Sequence, residues 1–183
     1  MGLELHTPID LTRDCEATLI PGGQKMTLSQ GDCVVVTQAL GGSFTVRTMN
    51  GHLARIDAHD ADALGLEGEQ ANEEPVEAGP FELQRVIETL KTVFDPEIPV
   101  NVVDLGLIYV CEAHLLADGG HRVEIKMSMT APGCGMGDVL KEDIKNKLLA
   151  VPGIDDADVQ VLFDPPWNMS MMSDAAKLQL GMM

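Results

Sequence analysis

The chain has 183 residues, of which 45% are hydrophobic and only 3% aromatic, and its formal net charge is -17. This length suffices for one core of moderate size or two small ones, filled mainly by aliphatic residues and methionine. The negative charge repels phosphate backbones and anionic membrane surfaces, which excludes nucleic acid and membranes as expected partners. The acidic N-terminus, with Glu4 and Asp10, and the absence of a long apolar run predict a soluble cytoplasmic protein.

Four cysteines are scattered along the chain, and no two of them form a CxxC pair. This spacing matches neither a zinc ribbon nor the disulfide framework of a secreted protein. We therefore expect reduced thiols.

The first 66 residues predict a small β-rich domain. Short strands are expected at 33–38, 43–49 and 52–57. The pair Asn50-Gly51 between the last two strands is a strong signal for a two-residue hairpin turn.

A group of possible cation ligands follows these strands at Asp57, His59, Asp60 and Asp62. The spacing lacks the glycine and the glutamate of a calcium-binding loop. A solvated or helix-capping turn is the favoured interpretation.

Residues 67–79 contain five glutamates, no basic residue and no large apolar cluster. Burial of such a segment cannot offset the entropy of ordering it, so the composition predicts an acidic flexible linker. The linker separates the N-terminal domain from a second domain over residues 80–183.

The second domain is predicted to be an α-β-β-α-β two-layer sandwich, which makes the whole chain an α+β protein. Its first helix carries apolar residues at helical spacing from Phe81 to Phe94 and stops at Asp95-Pro96. The other expected elements are strands at 105–112 and 122–129, a helix at 138–151, a strand at 157–163 and a short final helix that Ser173-Asp174 caps.

A glycine-rich loop, residues 129–137, joins the second strand of this domain to its second helix and contains Cys134. Unpaired backbone N–H groups and the helix dipole at a helix N-terminus favour a thiolate, which is a better nucleophile and metal ligand than a thiol. A small buried residue in a tight turn is the alternative interpretation, because free cysteines are commonly buried.

The loop is one of several motifs that occur in a characteristic order. Together they resemble the iron-sulfur assembly domain shared by SufT, MIP-type and PaaD proteins, over residues 81 to about 180. The motifs are DPEIPVNVVDLGLIY at 95–109, MTAPGCGMG at 129–137, VPGI at 151–154 and FDPPW at 163–167. In addition, TQALGGSFTV at 37–46 and DADALG at 60–65 resemble the N-terminal extension that marks SufT.

The resemblance implies an accessory factor that assembles iron-sulfur clusters or transfers them to client proteins, without catalysis of its own. It places the important cysteine at Cys134, as thiolate ligand or transfer point. The implied cofactor-binding residues are Cys134, Thr130, Gly133, Gly135 and Gly137, and the implied metal-binding residues are Cys134, Asp95 and Asp104. Asp95 and Asp104 are equally compatible with a role as turn caps.

An ordinary iron-sulfur cluster needs about four protein ligands, and one motif cysteine per chain cannot supply them. We therefore expect a transient cluster or iron that the monomer does not hold tightly, and a homodimer or partner protein that completes the site. Two alternatives remain. The protein could be a thiol enzyme with Cys134 as nucleophile, although no histidine occupies the matched motifs to act as base. It could also be a pure protein adaptor in which Cys134 is inert.

Overall fold

The structure, a computed structural model, describes residues 5–66, 81–131 and 135–182. It divides into two compact units, Met1–Glu74 and Pro75–Met183. The fold is of the predicted α+β class. The predicted linker, residues 67–79, lies outside the described residues, so the domain boundaries remain a prediction.

The strands of the N-terminal unit are β1 (Pro8–Asp10), β2 (Cys15–Ile20), β3 (Lys25–Leu28), β4 (Cys33–Leu40), β5 (Ser43–Thr48) and β6 (Leu53–Ile56). They form a six-stranded sheet in the order β1-β4-β5-β6-β2-β3, in which all neighbouring strands are antiparallel. Because side chains alternate between the two faces of a strand, one face of the sheet packs its aliphatic side chains into the core. The fully buried ones include Val34, Val36, Val46, Ala54 and Ile56.

The hairpin predicted around Asn50-Gly51 is present, but its turn is longer than two residues. The amide of Thr48 donates to the carbonyl of His52 at 2.9 Å, and Gly51 adopts a positive φ of 83°. A two-residue turn occurs instead between β4 and β5, at Gly41-Gly42, where both φ angles are positive. Glycine tolerates this geometry at both positions, whereas asparagine tolerates it less well.

Asp57 to Asp62 lie around a 3-10 helix, Ala58–Leu64. Asp57 occupies the N-cap position without a side-chain capping hydrogen bond, and Asp60 is buried, so the group is neither the solvated nor the capping turn that was predicted. The guanidinium of Arg13 contacts Asp60 Oδ1 at 2.8 Å and Asp62 Oδ1 at 2.6 Å. These carboxylates therefore pair with a cationic side chain of the same unit.

The C-terminal unit has the predicted order of helices and strands. The elements are α1 (Leu83–Leu90), β7 (Ile108–Leu115), β8 (His121–Met127), α2 (Gly137–Leu149), β9 (Ile154–Val161), a 3-10 helix (Met169–Met171) and α3 (Asp174–Gln179). The sheet has the order β7-β8-β9, with β7 antiparallel and β9 parallel to β8. Helix α2 packs against β9 and also contacts α1.

Most boundaries in this unit differ from the prediction by one to four residues, and the structure explains two of the differences. Helix α1 ends at Leu90 rather than Phe94, because residues 91–93 form turns that close with hydrogen bonds from Thr92 and Val93. Strand β7 begins at Ile108 rather than at 105, since the preceding apolar residues form turns whose amides donate to the carbonyls of residues 101–103.

We call the residues after β9, 162–182, the C-terminal segment. The single tryptophan and the single tyrosine of the chain hold it in place. The indole Nε1 of Trp167 donates to the carbonyl of Leu105 at 2.7 Å, and the hydroxyl of Tyr109 donates to the carbonyl of Pro165 at 2.9 Å. The hydroxyl of Ser173 accepts from the amide of Ala176, which confirms the predicted cap of α3. Within the described residues, no helix combines the length and the apolarity that crossing a membrane requires.

Candidate functional site

Asp95 lies at the start of a segment that we call the acidic loop, residues 95–107. Its side chain is only 2% exposed, and its Oδ1 accepts hydrogen bonds from the amides of Glu97 and Ile98, each at 2.9 Å. An isolated antiparallel bridge between Phe94 and Asn101 closes this turn. Asp95 therefore shapes the loop by satisfying backbone donors that its own turn leaves unpaired.

Burial raises the pKa of the Asp95 carboxyl above its usual range, because the charged form loses its hydration. The amides of Ile98 and Glu97 stabilise the carboxylate and offset part of this rise. The folded protein thus holds the Asp95 proton to a higher pH than the unfolded chain does.

A group whose pKa rises on folding stabilises the fold below its unfolded pKa, and this contribution is lost as pH increases through the folded pKa. The free energy of unfolding of the wild type should therefore fall as the pH rises above the ordinary pKa of aspartate. We expect Asp95→Asn to abolish this fall. The asparagine oxygen can still accept from the two amides. Urea unfolding from pH 3.5 to 7, followed by the fluorescence of Trp167, measures the difference. If the difference in free energy of unfolding between the wild type and the variant does not change with pH, the expectation is wrong.

Asn101 organises the second half of the acidic loop. Its Oδ1 accepts from the amides of Val103 and Asp104, while its Nδ2 donates to Asp104 Oδ2 at 2.7 Å. The half-buried carboxylate of Asp104 is therefore held in one orientation by a neutral donor. Asn101 was not predicted to have a role of its own, although asparagine commonly starts a turn by accepting from the backbone amides that follow it.

The acidic loop is attached to the strand that leads into the glycine-rich loop. The amide of Ser128, just after β8, donates to the carbonyl of Leu107 at 2.8 Å, and the side chain of Ser128 is buried. On its other side, the carbonyl of Asp104 accepts from the amide of Ser173 at 2.8 Å. The end of the acidic loop thus lies beside the start of the segment that contains Cys134.

We call residues 129–137 the thiol loop. Cys134 and Gly133 lie outside the described residues, as does Pro132. Among the other predicted site residues, Thr130 is half-buried and Gly135 is exposed, while Gly137 is buried as the first residue of α2. Both ends of the loop are anchored, since Met129 and Met136 are buried.

The two anchored ends of the thiol loop lie close together. A Cβ atom added at Gly137 would meet the Cγ and Sδ atoms of Met129 at 3.8 Å, which is an ordinary packing distance. An alanine at 137 is therefore sterically acceptable, and the helical geometry of the residue does not require glycine. The predicted cofactor-binding role of Gly137 remains a prediction.

The other three cysteines are in environments that favour the neutral thiol. Burial is the main cause that raises the pKa of Cys15, Cys33 and Cys111 above the usual value. For Cys33, a hydrogen bond to Asp10 adds to this effect. A neutral thiol is a poor nucleophile and a poor metal ligand, so these three residues are disfavoured as reactive groups.

We expect iodoacetamide to modify Cys134 at least about tenfold faster than Cys15, Cys33 or Cys111 at pH 7. A pKa lowered by about one unit raises the thiolate fraction about tenfold. Peptide mass spectrometry of the folded protein after timed quenching measures the four rates. Equal rates would remove the case for an activated thiol before α2.

The model of a family described as "Iron-sulfur cluster assembly protein" matches residues 83–161, which include the acidic loop and the thiol loop. A relative from Porphyromonas gingivalis, named "Fe-S protein maturation auxiliary factor", is 45% identical over 96 residues, covering 52% of this chain and 88% of the relative. The "Fe-S protein maturation auxiliary factor SufT" of Staphylococcus aureus is 36% identical, covering 49% of this chain and 97% of the relative.

A solved structure, the "Domain of Unknown Function DUF59" from Bacillus anthracis, is 35% identical. The match covers 55% of this chain and 92% of the solved chain, with a TM-score of 0.49.

The chain belongs to the iron-sulfur cluster assembly protein family, and within that family it is of the SufT type. The resemblance inferred from the motifs is thereby confirmed.

Proposed function

We propose that the protein is an auxiliary factor in the maturation of iron-sulfur proteins. The observation that carries this proposal is the 45% identity to the maturation auxiliary factor of Porphyromonas gingivalis, over 88% of that protein's length. The cargo would be an iron-sulfur cluster or iron, and the partners would be the assembly machinery and client apo-proteins. The protein would act as an adaptor or transient carrier rather than as an enzyme.

In this proposal the thiolate of Cys134 is the group that contacts the cargo. Cys134 precedes the first residue of α2 by three positions, where the helix dipole favours a negative charge. The raised pKa values of the three described cysteines support selective use of Cys134. Thr130, Gly133 and Gly135 would give the loop its shape.

Asp95 and Asp104 would have different roles beside the thiol. The near-complete burial of Asp95 and its two backbone hydrogen bonds favour a role in holding the loop. Asp104 is more accessible and is oriented by Asn101, which makes it the better candidate for a metal ligand. A carboxylate and a thiolate together supply only part of the ligand set that a cluster needs.

We infer that a second copy of the chain, or a client protein, supplies the remaining ligands. A homodimer would place two thiol loops at one cargo, and the cargo would be labile because each chain contributes few ligands. We also propose a cytoplasmic location and a division into domains 1–66 and 80–183 joined by the acidic linker. These proposals rest on composition and on the resemblance.

Deletion of the gene from its host tests the function. We expect client iron-sulfur enzymes to lose activity while their polypeptides stay at normal levels, and we expect the full-length chain to restore the activity. Activity per molecule of client, with iron content measured on the purified client, separates failed maturation from failed synthesis. Clients that remain fully loaded with iron in the deletion strain would overturn the proposal.

A further inference from the structure

The exposed face of the C-terminal sheet contains a group of metal-binding side chains on neighbouring strands. Glu112 and His114 are two residues apart in β7, so their side chains project from the same face. Glu124 in β8 is the direct cross-strand partner of Glu112. One ligand atom from each of the three side chains lies within 4.8 Å of the other two.

The spacing of these atoms suits a bound ion better than direct hydrogen bonds. His114 Nε2 lies 3.6 Å from Glu124 Oε2 and 3.9 Å from Glu112 Oε2, which is too long for a good hydrogen bond. Two donors on a tetrahedral ion with bonds of about 2.1 Å are about 3.4 Å apart. Small rotations of exposed side chains would therefore bring the three donors to coordination distance.

The charges around the group also favour a cation. Glu112, Glu124 and Asp158 are register partners across the three strands, so they form a row of carboxylates. Like charges directly opposite each other are destabilising in a sheet. Arg122, in the adjacent row of cross-strand partners, lies 3.4 Å from Asp156 and 3.4 Å from Asp158. Its positive charge therefore offsets the negative charge of Asp158 in β9 more than that of Glu112 in β7.

Lys126 orients the Glu124 carboxylate by pairing with one of its oxygens, and the other oxygen faces His114. Its Nζ lies 2.9 Å from Glu124 Oε1, whereas Oε2 is the oxygen that faces His114. The Lys126 ammonium also lowers the pKa of Glu124, which keeps the carboxylate deprotonated at neutral pH. The same positive charge repels an incoming cation, so the affinity of the site is limited.

We propose that Glu112, His114 and Glu124 form a binding site for a borderline divalent cation of the Zn²⁺ type. One imidazole nitrogen and two carboxylate oxygens would bind the ion, and water would complete its coordination. The imidazole distinguishes this donor set from the all-oxygen sites that Mg²⁺ and Ca²⁺ prefer. The site does not use Cys134 and does not depend on the proposed function.

Titration calorimetry of the full-length chain with Zn²⁺ at pH 7.5 tests the proposal. The accessible thiols are first alkylated with iodoacetamide, because thiolates bind zinc strongly. We expect about one equivalent of Zn²⁺ in the wild type. The variants His114→Gln and Glu124→Gln should each bind at least about tenfold more weakly, since each removes one of three protein ligands.

Two further variants make the test specific. His59→Gln is the matched control, because His59 is also exposed and lies 3.1 Å from a carboxylate oxygen of Asp60. It should bind like the wild type. Lys126→Gln should bind about fivefold more tightly, because it removes a neighbouring positive charge. Circular dichroism establishes that each variant is folded, as expected for side chains on an exposed face.

The absence of saturable binding in the alkylated wild type would overturn the proposal. So would His114→Gln binding as tightly as the wild type, or His59→Gln showing the larger loss. If His114→Gln or Glu124→Gln unfolds, the affinity of Lys126→Gln for Zn²⁺ decides the test. An increased affinity supports the site, and an unchanged affinity overturns it.

Discussion

Replacement of Cys134 by serine is expected to lower the activity of client iron-sulfur enzymes at least about tenfold, to the level of cells that lack the protein. Serine keeps the size of the side chain but replaces the soft, readily ionised sulfur with a hydroxyl, which is a poor ligand for iron at neutral pH. Because loops tolerate conservative changes, the variant should fold and accumulate normally. Client activity per molecule of client is the measurement.

Cys33→Ser is the matched control for this experiment. Cys33 is a half-buried thiol whose pKa is raised mainly by burial, so the change should leave client activity near the wild-type level. If Cys134→Ser supports maturation as well as the wild type does, the thiol has no role in transfer. The pure adaptor alternative would then explain the function better.

Gly106→Ala is expected to reduce the free energy of unfolding by about 2 to 4 kcal/mol. Gly106 adopts a φ of 73°, which is strained for any residue with a Cβ atom. A Cβ atom there would also overlap the carbonyl oxygen of Met171 and lie 2.7 Å from its carbonyl carbon. The backbone of the C-terminal segment would have to move away from the acidic loop.

Gly119→Ala separates the two causes of this loss. Gly119 also has a positive φ, 90°, but a Cβ atom added there would have no neighbour within 4 Å. Its replacement should cost only the backbone strain, about 1 kcal/mol. Urea unfolding followed by Trp167 fluorescence measures both variants, and equal losses would contradict the steric role of Met171.

The order of elements in the C-terminal unit was predictable mainly because α1, β8, α2 and β9 have a clear periodicity. The start of β7 was not predictable in the same way. Val102, Leu105 and Leu107 are buried in the core, and apolar residues at such close spacing are equally compatible with a buried strand and with buried turns. Strands β1 and β3 have only three and four residues, which is too short for a clear alternation. No strand was predicted at β2 either, although Cys15, Ala17 and Leu19 alternate there with other residues.

The candidate site is a prediction from the motifs, whereas the contacts among its described residues were not predictable from them. The motifs indicated Asp95, Asp104 and the thiol loop. The hydrogen bonds from Trp167 to Leu105 and from Ser173 to Asp104 join residues more than 60 positions apart. Local periodicity carries no information about such pairs, so the support that the C-terminal segment gives to the acidic loop required the structure.

Anaerobic reconstitution with iron and sulfide tests the central role of Cys134 most directly. The iron content, the absorption spectrum and the molar mass in solution are measured together for the wild type and for Cys134→Ser. We expect the wild type to hold less than one cluster per chain, to lose the iron readily to a chelator and to bind iron only as a dimer or complex. Cys134→Ser should hold none. A tightly bound cluster in the wild-type monomer, or equal iron binding by Cys134→Ser, would contradict the proposed mechanism.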